Sequence, residues 1–162
     1  MLSFRKEIFP EDVFRIREIL ESSGFFEAAP DEIDVAVELA EAALKDGNTP
    51  ENYAFVFAEE EGRTVGYACF ARVPCTVSTF EIYWLGVHDD CRGRGIGKIL
   101  INEVVRIVRE LGATKLLLQT AGREQYIPTQ KFYLSCGFKE EARLKNYYAE
   151  GDDCLIFTRD FA

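Results

Sequence analysis

The chain has 162 residues, 48% of them hydrophobic, and it contains 13 phenylalanines and 7 tyrosines. This length and apolar content suit one folded domain with a sizeable core, so we predict a single domain over residues 1–162. The formal net charge of -9 argues against a protein that coats nucleic acid or anionic surfaces. We therefore expect neither nucleic acid nor a membrane as a partner.

Cysteine and histidine usage limits the chemistry further. The five cysteines include no Cys-x-x-Cys pair, and His88 is the only histidine. The chain therefore has too few histidines and no cysteine pair for the usual mixed zinc sites, and its one histidine gives little support to Ser-His-Asp catalysis. We predict no metal. An odd number of cysteines favours a reducing compartment, and residues 1–9 lack an apolar signal core. These features predict a soluble cytoplasmic protein.

The hydrophobic pattern predicts a mixture of helices and strands after a first strand at the start of the chain. The further predicted elements are helices over residues 11–22 and 31–45, strands over 54–58, 64–73 and 79–87, a helix over 96–111, a strand over 115–119, a helix over 128–135, and strands over 138–148 and 154–158. The helix that begins at Ile96 has the clearest apolar stripe, and Gly112 ends it.

A cationic, glycine-rich turn joins the strand predicted over residues 79–87 to this helix. Glycines let a backbone approach an anion, and amides at a helix start have no intrahelical acceptor. This pattern predicts a pyrophosphate-bearing cofactor. The predicted binding residues are Arg92, Gly93, Arg94, Gly95, Ile96, Gly97 and Lys98. A flexible basic turn without a ligand is the alternative, but each glycine would forfeit about 0.5–1 kcal/mol at a helical position.

The chain resembles the GNAT superfamily of N-acetyltransferases. The family signature is Arg or Gln, two residues, Gly, one residue, then Gly or Ala, and Arg92, Gly95 and Gly97 fill it. Residues 132–138 resemble the family's Phe-Tyr-x-x-x-Gly-Phe segment. The likeness covers about residues 50–160 and is weakest toward the N-terminus, where the family varies with its substrate.

The resemblance implies an α/β fold with a mixed, mainly antiparallel sheet of about six to seven strands, flanked by helices. The strands predicted over residues 79–87 and 115–119 would splay apart to hold the cofactor between them. Residues 1–50 would form a variable, substrate-side part, and residues 51–162 the cofactor-binding core. The backbone of Leu85 and Val87 would contact the pantetheine arm. The family commonly dimerises, so a homodimer is an open expectation.

The implied activity is acyl transfer. An acetyl group would pass directly from acetyl-coenzyme A to a primary amine, and coenzyme A would be the co-product. Glu81 is the candidate general base, and burial among apolar neighbours would raise its pKa. The alternative is that Glu81 faces solvent or pairs with an arginine. Tyr133, expected at the start of its helix, is the candidate acid for the thiolate; the alternative is a purely aromatic core role.

Several questions about the acceptor side stay open. Phe25 and Phe26 line either an acceptor pocket or the core. An acidic face of the second helix is read as solvated in preference to a cationic substrate funnel. Its members are Asp31, Glu32, Asp34, Glu38 and Glu41. Cys91 is expected to be a small buried filler and not a nucleophile.

Two other functional classes compete with an enzyme of this kind. One is a non-catalytic coenzyme A sensor or partner-binding domain of the same fold. The other is a nucleotide-binding enzyme, which fails because the chain lacks a Gly-Lys-Ser/Thr ending and an early dinucleotide fingerprint. The acceptor is predicted only as an amine on a small molecule or a protein.

Overall fold

The computed structural model describes residues 1–162, which form seven strands and four helices. The strands are β1 (Leu2–Arg5), β2 (Ala54–Glu60), β3 (Arg63–Arg72), β4 (Thr79–Val87), β5 (Lys115–Ala121), β6 (Lys139–Ala149) and β7 (Asp152–Asp160). The helices are α1 (Asp12–Ser22), α2 (Asp31–Asp46), α3 (Ile96–Glu110) and α4 (Ile127–Ser135). The strands follow the order β1-β2-β3-β4-β5-β7-β6 in one sheet, which confirms the predicted mixed α/β fold.

The chain divides into two compact units. The first contains Met1–Arg72 and Ile82–Arg106, and the second contains Val73–Glu81 and Ile107–Ala162. The expectation of a single domain over residues 1–162 stays a prediction. None of the four helices combines the length and the apolar character needed to cross a bilayer.

In the first unit, α1 and α2 pack on each other and on β2 and β3. Apolar residues three and four positions apart share one helix face, which explains why both helices bury a single stripe. The buried side chains of this core include Ile16, Ile19, Leu20, Ile33, Ala36, Ala40, Phe55, Phe57 and Tyr67. Full burial of a large apolar side chain contributes about 1.5–3 kcal/mol, so this core accounts for a large part of the unit's stability.

Close backbone approach fixes β3 against β4 and α3. A Cβ on Gly66 of β3 would lie 2.9 Å from the Gly86 carbonyl oxygen and 3.0 Å from Leu100 Cδ1. Only glycine leaves room for this arrangement. Since β4 leads into the glycine-rich turn and α3 follows it, this packing holds both ends of the turn in place.

In the second unit, β7 lies between β5 and β6 and pairs antiparallel with both. The β5–β7 register pairs Gln119 with Ile156 and Ala121 with Cys154. The β6–β7 register shifts between Leu144 and Ala149, so β6 is bulged there. Bulges re-aim side chains, and this one determines where the last residues of β6 point.

The predicted elements are present, with differences at their ends. β5 runs two residues beyond its predicted end, and β7 extends two residues further at each end, because cross-strand pairing continues through turn-forming residues. Short 3-10 helices at Asp89–Cys91 and Glu124–Tyr126 lie between the predicted strands and helices. The expectation that Tyr133 begins its helix is wrong, because α4 starts at Ile127 and Tyr133 lies in its last turn.

Candidate active site

The glycine-rich turn connects the end of β4 to the start of α3. Gly93 and Gly95 have φ angles of 74° and 79°, in the left-handed region. A Cβ on either residue would meet no atom within 4 Å. Glycine is therefore required by the backbone conformation and not by crowding, and the space above both residues is open.

The turn presents a row of free backbone donors. The first hydrogen bond into α3 runs from the Ile99 amide to the Gly95 carbonyl at 3.1 Å. The amides of residues 93–98 have no acceptor within the chain. Unpaired amides at a helix N-terminus carry partial positive charge and bind anions. The donor set therefore fits the pyrophosphate predicted from the sequence.

Three cations surround these amides. Arg92 Nε lies 3.6 Å from Asp89 Oδ1, and Arg94 Nη2 lies 2.6 Å from Glu60 Oε1. The guanidinium of Arg92 also lies 5.5 Å from the centre of the Phe25 ring. Lys98 is exposed and forms no ion pair. Because the Arg92 and Arg94 side chains are 44% and 49% exposed, their ion pairs are screened by solvent and an incoming phosphate can compete for them.

The start of the turn is fixed by its own hydrogen bonds. The Asp89 amide donates to Ser22 Oγ at 3.0 Å, and the His88 amide donates to the Val65 carbonyl at 2.8 Å. The Cys91 thiol donates to Asp90 Oδ1 at 3.0 Å. This bond, followed by those from Arg63 and His88, lowers the pKa of Asp90 to about 2.

Cys91 is buried and its environment disfavours the thiolate. The hydrogen bond to the Asp90 carboxylate, together with burial, raises the pKa of the Cys91 thiol. A protonated thiol is a poor nucleophile, so this geometry agrees with the packing role expected from the sequence.

Glu81 lies on β4 and is half-buried. Desolvation raises the pKa of its carboxyl, and a hydrogen bond from Gln119 opposes that rise. Gln119 Nε2 donates to Glu81 Oε1 at 3.1 Å. Glu81 has no arginine partner, contrary to one alternative considered for it. The raised pKa has the direction and the cause that the sequence suggested.

Tyr133 lies on α4 with its ring against Phe138 and Phe157, at centroid distances of 6.0 Å and 6.2 Å. Desolvation raises the pKa of its phenol. The raised pKa keeps the phenol protonated at neutral pH.

The structure distributes the predicted site residues between the two units. Residues 92–98, Leu85 and Val87 belong to the first unit, whereas Glu81 and Tyr133 belong to the second. Gln119, which contacts Glu81, was missed from the sequence. The available signal was its amide side chain directly after the three leucines of β5.

Two features considered for acceptor binding, Phe26 and the acidic face of α2, lie in the first unit. Phe26 packs against Trp84 with a centroid distance of 5.9 Å and borders a cleft of about 220 Å³. The cleft is lined by Arg17, Glu21, Phe26, Glu27, Pro30 and Ile33. All five acidic residues of the predicted acidic face are exposed, and Asp34 pairs with Arg17 at 2.7 Å. The solvated interpretation of this face therefore agrees with the structure.

Comparisons with known proteins show the family and the fold of the chain. A crystal structure from Desulfovibrio desulfuricans, described as a GNAT-family acetyltransferase, is 40% identical, covers 100% of both chains and has a TM-score of 0.95. An N-alpha-acetyltransferase of Sulfurisphaera tokodaii is 26% identical over 151 residues, spanning 78% of this chain and 86% of the relative. The PaiA N-acetyltransferase of Thermoplasma acidophilum, solved with coenzyme A, shares the fold at 17% identity, with 99% of both chains covered and a TM-score of 0.72.

The family model for the GNAT acetyltransferases matches residues 13–138, which include all but the first residue of α1, the glycine-rich turn and α4. The chain therefore belongs to the GNAT acetyltransferase family and is an N-acetyltransferase that uses acetyl-coenzyme A and an amine acceptor that is not identified.

Proposed function

We propose that residues 93–98 hold the pyrophosphate of acetyl-coenzyme A while Glu81 and Tyr133 handle the protons of a direct transfer to a primary amine. The coenzyme supplies the acetyl group as an activated thioester. The observation that carries this proposal is the row of unpaired backbone amides at the N-terminus of α3. Charge-assisted hydrogen bonds of this kind contribute about 1.5–3 kcal/mol each.

The cations Arg92, Arg94 and Lys98 add electrostatic attraction in a chain that is acidic overall. Because Arg92 and Arg94 already lie beside carboxylates, coenzyme binding exchanges Asp89 and Glu60 for phosphate oxygens. The backbone of Leu85 and Val87 is proposed to run beside the pantetheine arm as an added strand would.

Glu81 is proposed to accept the proton that the amine must lose before or during attack, directly or through a water molecule. An alkylamine such as lysine has a pKa of about 10.4, so a base is needed near neutral pH. Burial raises the pKa of Glu81, which makes its carboxylate a stronger base than an exposed one.

Tyr133 is proposed to donate its phenolic proton to the departing thiolate of coenzyme A. Its raised pKa keeps the phenol protonated through the working pH range. Aromatic packing against Phe138 and Phe157 holds the ring in one orientation. A fixed, protonated donor suits this step.

Cytoplasmic location and a homodimer remain part of the proposal, as does the choice of acceptor. The relative from Sulfurisphaera tokodaii carries the name N-alpha-acetyltransferase, so peptides with free N-termini belong in the acceptor panel beside polyamines, aminoglycosides and amino acids.

The test is a screen for release of free coenzyme A thiol from acetyl-coenzyme A across this amine panel. We expect at least one amine for which thiol release equals acetylated product, and Glu81→Gln and Tyr133→Phe enzymes that still bind coenzyme but turn over slowly. Coenzyme binding without acetylation of any amine would contradict the proposal and favour the sensor.

A further inference from the structure

A chain of hydrogen bonds runs from the end of β6 to the Glu81 carboxylate. The Tyr148 hydroxyl donates to Cys154 Sγ at 3.8 Å, and the Cys154 thiol donates to Gln119 Oε1 at 3.5 Å. Gln119 Nε2 in turn donates to Glu81 Oε1 at 3.1 Å. All four residues belong to the second compact unit.

Strand register places Gln119 and Cys154 on one face of the sheet. Cys154 pairs with Ala121, two residues beyond Gln119, so the Gln119 and Cys154 side chains are diagonal neighbours on the same face. The bulge of β6 brings Tyr148 to Cys154. Asn146 has a φ of 55° and stabilises the bulge with two hydrogen bonds. Its backbone N–H donates to Asp153 Oδ1 at 3.0 Å, and its side-chain Oδ1 accepts from the backbone N–H of Gly151 at 2.8 Å.

The chain of donors has one direction. A glutamine amide has two orientations related by a half-turn, and only one of them points its N–H at Glu81. In the other, the amide oxygen would face the carboxylate, and the amide N–H would face a thiol that is itself a donor. Since Tyr148 donates to the Cys154 sulfur, the thiol proton is directed to Gln119. Cys154 and Tyr148 thus select the productive orientation.

We propose that Gln119 is a positioning residue that holds the Glu81 carboxylate for proton transfer, with Cys154 and Tyr148 fixing the orientation of its amide. This inference rests on the proposed role of Glu81 as the base. Gln119 acts through Glu81 and is not assigned a contact with substrate.

The surroundings of Glu81 make Gln119 its main polar partner. On β4, Tyr83 shares the face of Glu81, and on β5, Lys115 shares the face of Gln119. Lys115 is engaged by Asp160 at 2.7 Å and by Glu141 at 3.2 Å. No ion pair reaches Glu81, so burial, which raises the pKa of its carboxyl, is opposed by the Gln119 hydrogen bond.

The test compares Gln119→Leu with the wild-type enzyme in two measurements. Carboxyl-carbon NMR follows the titration of Glu81 in the protein alone, and kcat/KM is followed against pH with the panel amine that releases most thiol. Removing the amide N–H destabilises the carboxylate, so the Glu81 midpoint and the acid limb both move to higher pH. We expect kcat/KM to fall about threefold to tenfold on the acid limb, with the plateau retained.

Paired variants test the outer links. Tyr148→Phe should move the Glu81 midpoint in the same direction by less, whereas Tyr147→Phe, which changes the adjacent tyrosine, should not move it. Cys154→Ala should act like Tyr148→Phe, and Cys154→Ser should restore the wild-type midpoint. Cys69→Ala, which removes a buried thiol in the first unit, controls for the loss of packing.

The outcomes separate this inference from the proposed function. A Glu81 midpoint unchanged in Gln119→Leu, or a uniform loss of kcat at every pH, overturns the positioning role even if Glu81→Gln is inactive. Full activity in Glu81→Gln, or a midpoint that moves without any change in the rate profile, overturns Glu81 as the base, and the catalytic role of Gln119 fails with it.

Discussion

Replacing Gly95 with alanine tests the anion site with a control from the same helix. Gly95 precedes α3 and Gly112 follows it, with φ angles of 79° and 86°. A Cβ would meet no atom within 4 Å at either position. A non-glycine residue in this region costs about 1–2 kcal/mol, and the stiffer unfolded chain offsets about 0.4–1 kcal/mol. Both variants should therefore lose about 1 kcal/mol of stability, or about 2–4 °C in Tm.

Only Gly95→Ala should weaken coenzyme binding, because only Gly95 lies where the proposed pyrophosphate meets the backbone. Loss or distortion of one charge-assisted hydrogen bond removes about 1.5–3 kcal/mol, which raises Kd by at least about tenfold. Calorimetric titration with coenzyme A, beside thermal unfolding of both variants, measures the two effects separately. Equal affinities of Gly95→Ala and Gly112→Ala would refute the reasoning, since the two substitutions carry the same backbone strain.

Three other substitutions each change one contact or one charge of the protein. Glu60→Gln should tighten coenzyme binding about twofold to fivefold at low salt, and less at high salt, because the substitution frees Arg94 from its ion pair. Titration with coenzyme A at two ionic strengths measures this effect. Weaker binding, or a change in affinity that does not depend on salt, would contradict it. Gly66→Ala should destabilise the protein by about 1–3 kcal/mol, since its Cβ would overlap the Gly86 carbonyl oxygen, and an unchanged Tm would oppose that. Burial raises the pKa of Glu81, so the stability cost of its buried carboxylate is absent at low pH and grows as pH rises through the folded-state pKa. The Tm difference between Glu81→Gln and wild type should therefore increase from about pH 4 to about pH 7. A flat or falling Tm difference would argue against a desolvated carboxylate.

The glycine-rich turn could be predicted from the sequence because its determinants are local. The apolar run of β4, the glycines at 93 and 95 and the helical stripe from Ile96 are consecutive along the chain. Strand, turn and helix each follow from residue type and spacing over a few positions. The position of Glu81 on a strand followed in the same way.

The partners of these residues could not be predicted because they depend on register. Gln119 is 38 residues from Glu81, and Glu60 is 34 residues from Arg94. A shift of one residue in strand pairing moves every side chain to the opposite face of the sheet. The position of Tyr148 depends in addition on a bulge in β6, which composition does not indicate.

The most direct measurement of the central claim is an amide NMR titration of the isotopically labelled protein with coenzyme A. The account predicts that the largest saturating shifts occur at the amides of residues 93–98, while the amides of Gly112 and Gly151 change little. Saturable binding that leaves residues 93–98 unshifted, or the absence of any binding, would contradict the claim that these backbone donors hold the pyrophosphate.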